Sequence, residues 1–135
     1  KAGRALDVLV VDSNPDELSF LTNFLTSRGH AALTARDGER AIWLAERMSF
    51  DAVIFEASIA CGARESGDAL AGSRGRERLG ALRALQARPG CARSRFIVAA
   101  SGPETTRRLP LPLPPGVTVV MRPYDVEELR LLLEE

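Results

Sequence analysis

Short runs rich in Val, Ile and Ala recur along the chain, and most are followed by a stretch of helical periodicity. The first, LDVLVVD over 6–12, is almost wholly apolar until it stops at Asp12. A continuous apolar run is the mark of a strand buried on both faces, as in a parallel sheet. SNPDELSFLTNFLTSRG follows over 13–29. Asn14 caps a helix there, Pro15 suits its first turn, and Glu17 stands where a capping box places an acid. Leu18, Leu21 and Leu25 recur at helical spacing and Gly29 is a natural stop. The alternation then repeats. HAALTA over 30–35 is a second strand, and DGERAIWLAERM over 37–48 is a helix capped by Asp37. Its core face carries Ala41, Leu44, Ala45 and Met48. FDAVIFE over 50–56 is a third strand, and RERLGALRALQAR a helix from about Arg76. RFIVAAS over 95–101 and GVTVVMRP over 116–123 are the fourth and fifth strands. DVEELRLLLEE over 125–135 is a last helix, capped by Asp125 with Glu128 three residues on.

Strands alternating with helices predict an α/β fold, a five-stranded parallel sheet doubly wound by helices. The 135 residues fit one domain spanning 1–135. In such sheets the site lies at the carboxyl ends of the strands. The residues to question are therefore Asp12 and Ser13, Glu56, Ser101, and Arg122. Glu56 is the oddest, because a carboxylate ending a buried strand costs free energy unless it is paired.

Composition removes several classes. Eighteen basic and 18 acidic residues give zero formal charge, so nothing draws the chain to nucleic acid or an anionic membrane. No apolar run reaches the ~20 residues that span a bilayer. No signal peptide is visible, which makes the cytoplasm the expected location. A chain opening on Lys1 reads as a piece of a longer protein. Cys61 and Cys91 form no metal-ligand or redox spacing and read as reduced thiols. Neither GxGxxG nor GxxxxGK[ST] occurs, which disfavours nucleotide binding.

The strand-end residues carry a resemblance. VLVVDSNPDE resembles the first strand and acidic loop of the receiver domain of two-component response regulators. FDAVIFE matches the segment ending on that family's phosphorylated aspartate, FIVAAS the segment ending on its switch Ser or Thr, and VVMRPYDVEEL the one with its Lys-Pro pair. The resemblance covers nearly the whole chain and implies the flavodoxin-like receiver fold. It places Glu56 at the phosphoacceptor position, Asp12 and Ser13 at the acidic pair, Ser101 at the switch and Arg122 at the lysine. It also implies a cis bond before Pro123.

The departures set the chemistry. Aspartyl phosphorylation needs a carboxylate nucleophile, a divalent metal and a cation on the phosphoryl oxygens. Ser13 removes a carboxylate from the metal cluster, and Mg²⁺ demands oxygen ligands in near-ideal geometry. Glu56 adds a methylene that displaces the nucleophile. Arg122 is a planar fork suited to carboxylates. The pocket therefore reads as an ion pair between Glu56 and Arg122, with Asp12 nearby and Glu56 reaching toward Ser101 as a fixed mimic of the phosphorylated state. Alternatively Glu56 is a solvated strand-end acid.

The expected function is that of a degenerate receiver, not an enzyme and not phosphorylated, with Mg²⁺ binding weak or absent and no other cofactor. It would act as a protein-interaction module beside an attached output or kinase domain. The alternatives are a receiver that still accepts phosphate and a flavodoxin-like domain that binds a small molecule. An insertion of about 57–75, rich in Gly and Ser, reads as a lid, a docking site or a tolerated excursion. Pro110, Pro112, Pro114 and Pro115 exclude a regular fourth helix in 103–116, which argues against the standard receiver dimer. Trp43 is expected off the core face. Arg74, Arg76 and Arg78 read as a solvated basic face, and His30 as structural.

Overall fold

A computed structural model describes residues 4–60, 80–102 and 113–134. Five parallel strands form one sheet: β1 Asp7–Val11, β2 Ala31–Ala35, β3 Ala52–Glu56, β4 Arg95–Ala100 and β5 Val117–Met121. Their order is β2-β1-β3-β4-β5, the doubly wound order whose direction switches between β1 and β3. The helices are α1 Pro15–Ser27, α2 Gly38–Ala45, α3 Ala57–Ala60, α4 Gly80–Gln86 and α5 Val126–Glu134.

Side-chain alternation divides the core. Val8, Val10, Ala52, Ile54, Ile97 and Val120 pack with Leu21 and Leu25 of α1 and Leu129 and Leu133 of α5. Leu9, Val11, Val53, Phe55, Phe96 and Val98 pack on the other face, with α2, α3 and α4. Both faces of β1, β3 and β4 are covered, which is why those runs read as continuously apolar.

The helix ends follow local chemistry. The Asn14 side chain accepts from the Asp16 N–H at 2.8 Å and starts α1. At the other end Gly29 takes φ +88°, the Gly29 N–H donates to Thr26 and the His30 N–H to Leu25. That is a Schellman close, and glycine adopts the backbone it needs without strain. Asp37 caps α2 through the Arg40 N–H, and Asp125 caps α5 through the N–H groups of Glu127 and Glu128.

Three expectations need correction. The second helix stops at Ala45 instead of running to Met48, and Met48 is 45% exposed. Gly90 packs against that end, so close to the Ala45 and Met48 carbonyls that a Cβ would sit 1.9 Å from the Met48 oxygen. The segment after Glu56 is not loop from its first residue, because Ala57–Ala60 form α3 and bury Ala57, Ile59 and Ala60. The capping box at α1 is absent: the Asn14 N–H donates to Asp12 at 2.9 Å, not to Glu17. The rest of the insertion, the start of the third helix near Arg76, Cys61 and nearly all of the Pro-rich segment lie outside the described residues.

Candidate functional site

Register brings two carboxylates abreast. Val10 pairs with Ile54 and Val11 with Phe55, so the next step along both strands puts Asp12 beside Glu56. Like charges on neighbouring strands repel. Both are nearly buried, with side-chain exposures of 3% for Asp12 and 8% for Glu56.

Arg122 answers them from β5, two strands beyond β3 and roughly 10 Å away across the sheet. Its Nη1 donates to Asp12 Oδ2 at 2.9 Å, and its Nη2 stands 3.8 Å from Glu56 Oε2. The first is a charge-assisted hydrogen bond; the second is an ion pair without one. The Arg122 N–H also donates to the Ala100 carbonyl at 2.8 Å, which ties the arginine to the end of β4. The Arg122–Pro123 peptide is cis.

Glu56 spends its oxygens elsewhere. Oε2 accepts from the Ser58 N–H at 3.1 Å, Oε1 accepts from the Ile59 N–H at 3.3 Å, and the Ser58 hydroxyl lies 2.6 and 2.8 Å from the two oxygens. The carboxylate therefore caps α3, satisfying N–H groups that a helix start leaves open. Asp37 and Asp125 make the same cap with a shorter side chain, so the extra methylene is not required for it. Asp12 is likewise engaged at both oxygens, by Asn14 N–H at Oδ1 and by Arg122 at Oδ2.

Burial pushes the Asp12 carboxyl above the ordinary 3.8. The Asn14 N–H and the Arg122 guanidinium pull it down, while Glu56 and Glu17 push it up. Desolvation wins because the side chain has almost no contact with water. Tyr124, next after the cis proline, has its phenol held well above its usual 10, first by burial.

Asp12, Glu56 and Arg122 thus meet as three strand ends in one cluster. Ser13 and Ser101 do not join it: both are exposed, and no hydrogen bond links Ser101 to Glu56 among the described residues. The expected reach of Glu56 toward Ser101 gives way to the cap of α3, and the closest partner of Arg122 is Asp12 rather than Glu56. Ser58 was missed in sequence, and Asn14 was read there only as a helix cap, not as a donor to Asp12. Ser58 had a signal, a hydroxyl two residues past a strand-end acid, which is the spacing of a cap. His30 is structural, its Nδ1 accepting from the Leu6 N–H at 3.0 Å.

No family model and no curated protein matches the chain. Solved structures do. The receiver domain of the sensor histidine kinase PA1611 from Pseudomonas aeruginosa PAO1 superposes with a TM-score of 0.72 at 20% identity, over 97% of this chain and 96% of that one. The chain has the receiver-domain fold. A signal receiver domain of an HD domain-containing protein from Pseudomonas fluorescens Pf-5 matches at 0.66 and 23% identity, over 97% of this chain and 93% of that one. NtrX from Brucella abortus matches at 0.68 and 17% identity; the match covers 97% of this chain but 26% of NtrX. All three matches are to part of a longer protein. No helix among the described residues is long and apolar enough to cross a membrane.

Proposed function

We propose that this chain is a degenerate receiver of a two-component signalling protein, not phosphorylated at Glu56 and acting as a protein-interaction module. The observation that carries the reading is that Arg122 already sits between the two carboxylates, 2.9 Å from Asp12 and 3.8 Å from Glu56. A guanidinium already neutralises the acids that a metal would need, and Glu56 caps a helix with both oxygens.

The receiver domain of PA1611 holds a magnesium ion in its active-site cleft. The residues here do not suit that ion. Asp12 and Glu56 have their oxygens engaged by N–H groups, a hydroxyl and Arg122. Ser13 brings no charge, and no group of three His, Cys, Asp or Glu side chains among the described residues could hold a metal. Mg²⁺ needs several hard oxygens free at once.

The module is assigned no catalysis, a cytoplasmic location and a protein partner or attached output or kinase domain, with no nucleic acid or membrane. Ser101 keeps the switch position without a phosphoryl group to answer. The test is incubation with acetyl phosphate and Mg²⁺ followed by intact mass. No adduct is expected. Stoichiometric addition of one phosphoryl group, lost in Glu56→Gln, would establish instead a receiver that still accepts phosphate.

A further inference from the structure

We propose that the free edge of β2 is a docking site for an extended, acidic segment of a partner protein, which adds to the sheet as a sixth strand. The surface is separate from the Asp12–Glu56–Arg122 cluster and does not depend on how that cluster is read.

Strand order leaves β2 at the margin, bonded only to β1 among the described residues. Its sequence, Ala31–Ala35, has no charge and no proline, and Ala31, Leu33 and Thr34 are exposed. Edge strands are ordinarily guarded by lysine, proline or a bulge, because their open N–H and C=O groups invite another strand. This one is bare.

A groove of about 600 Å³ lies between the starts of β1 and β2 and the chain leaving α2. Leu33 and Met48 line it with exposed apolar surface, and Arg47 stands at its rim. Met48 is available because α2 stops early. An added strand offers alternate side chains to such a groove while its backbone pairs with the edge.

Arg47 lines the groove, and the cations on α2 and just before it select the occupant. Trp43, also exposed, lies between two guanidiniums, with Arg40 4.4 Å and Arg47 3.9 Å from its ring centre. The Arg47 Nη1 also donates to the Trp43 carbonyl at 2.8 Å. These cations are held in place before any partner arrives, which lowers the ordering cost of binding. Arg36 follows directly on β2. Neither Arg36 nor Arg40 forms an ion pair among the described residues, while Glu46 is engaged by Arg88 at 3.1 Å and Arg47 at 3.7 Å. Asp7 lines the groove as an opposing carboxylate, and Glu39 is exposed on α2. A second copy of this chain fits less well. Antiparallel β2–β2 pairing about a two-fold axis would set both α2 helices on the same face and crowd their arginines together.

The probe is a labelled, end-blocked peptide of alternating Glu and Val, with a Lys–Val peptide of equal length as control. Binding to the 135-residue chain is read by anisotropy, and the contact is mapped by amide exchange. The acidic peptide is expected to bind at least about tenfold tighter than the basic one, because complementary charge selects partners. It should slow exchange in 31–35 and lose most of its affinity with Arg40→Glu plus Arg47→Glu, and also with Leu33→Lys, once circular dichroism shows both variants folded. Equal binding of the two peptides, no acidic-peptide binding, or slowed exchange elsewhere would overturn the proposal. So would a dimer, detected by sedimentation without peptide, that Leu33→Lys dissolves.

Discussion

Arg122 is bound more tightly to Asp12 than to Glu56, at 2.9 against 3.8 Å, although Glu56 is the nearer strand end in the sheet order. The preference follows from competition. Glu56 is already held by the first turn of α3, whereas Asp12 has one oxygen left after the Asn14 N–H takes the other. The arginine therefore neutralises mainly the carboxylate that the backbone neutralises less.

Removing that cation should be costly. Arg122→Ala leaves two nearly buried carboxylates abreast, and breaking a buried pair typically costs about 3–5 kcal/mol. A loss of at least about 3 kcal/mol at pH 7 is expected by urea unfolding, with Arg122→Lys intermediate because an ammonium lacks the fork that faces both acids. A loss under about 1 kcal/mol would put the pair in the class of solvated surface bridges.

Asp12 also gives a signed dependence on pH. Its carboxyl is raised above 3.8 in the fold, so the folded state binds the proton better than the unfolded chain does. Its contribution to stability is present in full below pH 3.8 and is lost as pH climbs through the folded value. Asp12→Asn, which keeps an acceptor for Asn14, should therefore gain on the native protein as pH rises over that window and level off above it. Unfolding curves of both proteins from pH 3 to pH 7 check this. A gap that narrows with rising pH would mean that Arg122 outweighs burial.

Metal affinity should return only when the site is rebuilt. Ser13→Asp with Glu56→Asp adds a carboxylate and shortens the other acid by a methylene, and calorimetric titration is expected to detect Mg²⁺ with this variant and not with the native protein. Tight binding by the native protein would contradict the engaged state of its carboxylate oxygens.

Gly90→Ala tests the junction that ends α2. Its Cβ would meet the Met48 oxygen at 1.9 Å and the Ala45 oxygen at 2.4 Å, both backbone. Neither can swing aside as a side chain would. Destabilisation of about 3 kcal/mol or more, or failure to fold, is expected by circular dichroism melting.

Much of this was legible in the sequence, for a physical reason. Continuous apolar runs such as VLVV and AVIF can only be buried on both faces, so the parallel sheet followed, and with it the ends at Asp12, Glu56 and Arg122. The pairing of Glu56 with Arg122 was legible too; that Asp12 would be the closer partner was not, because that depends on register and on a side chain crossing strands. Met48 misled because helical spacing continues past Ala45, while the close approach of Gly90 comes from 45 residues further along the chain. Glu17 misled because the capping-box pattern does not reveal that Asp12 reaches the same N–H first.

The stacking of Trp43 between Arg40 and Arg47 has an optical consequence. It is the single tryptophan of the sequence, and it lies outside the core. Intrinsic emission from this protein therefore comes from a partly hydrated indole with cations on its faces, not from a packed interior. Global unfolding should shift that emission only slightly, so fluorescence is a poor gauge of the fold. Arg47, which stacks on that indole, also lines the β2 groove, and a carboxylate drawing it off the ring would change the emission without any label.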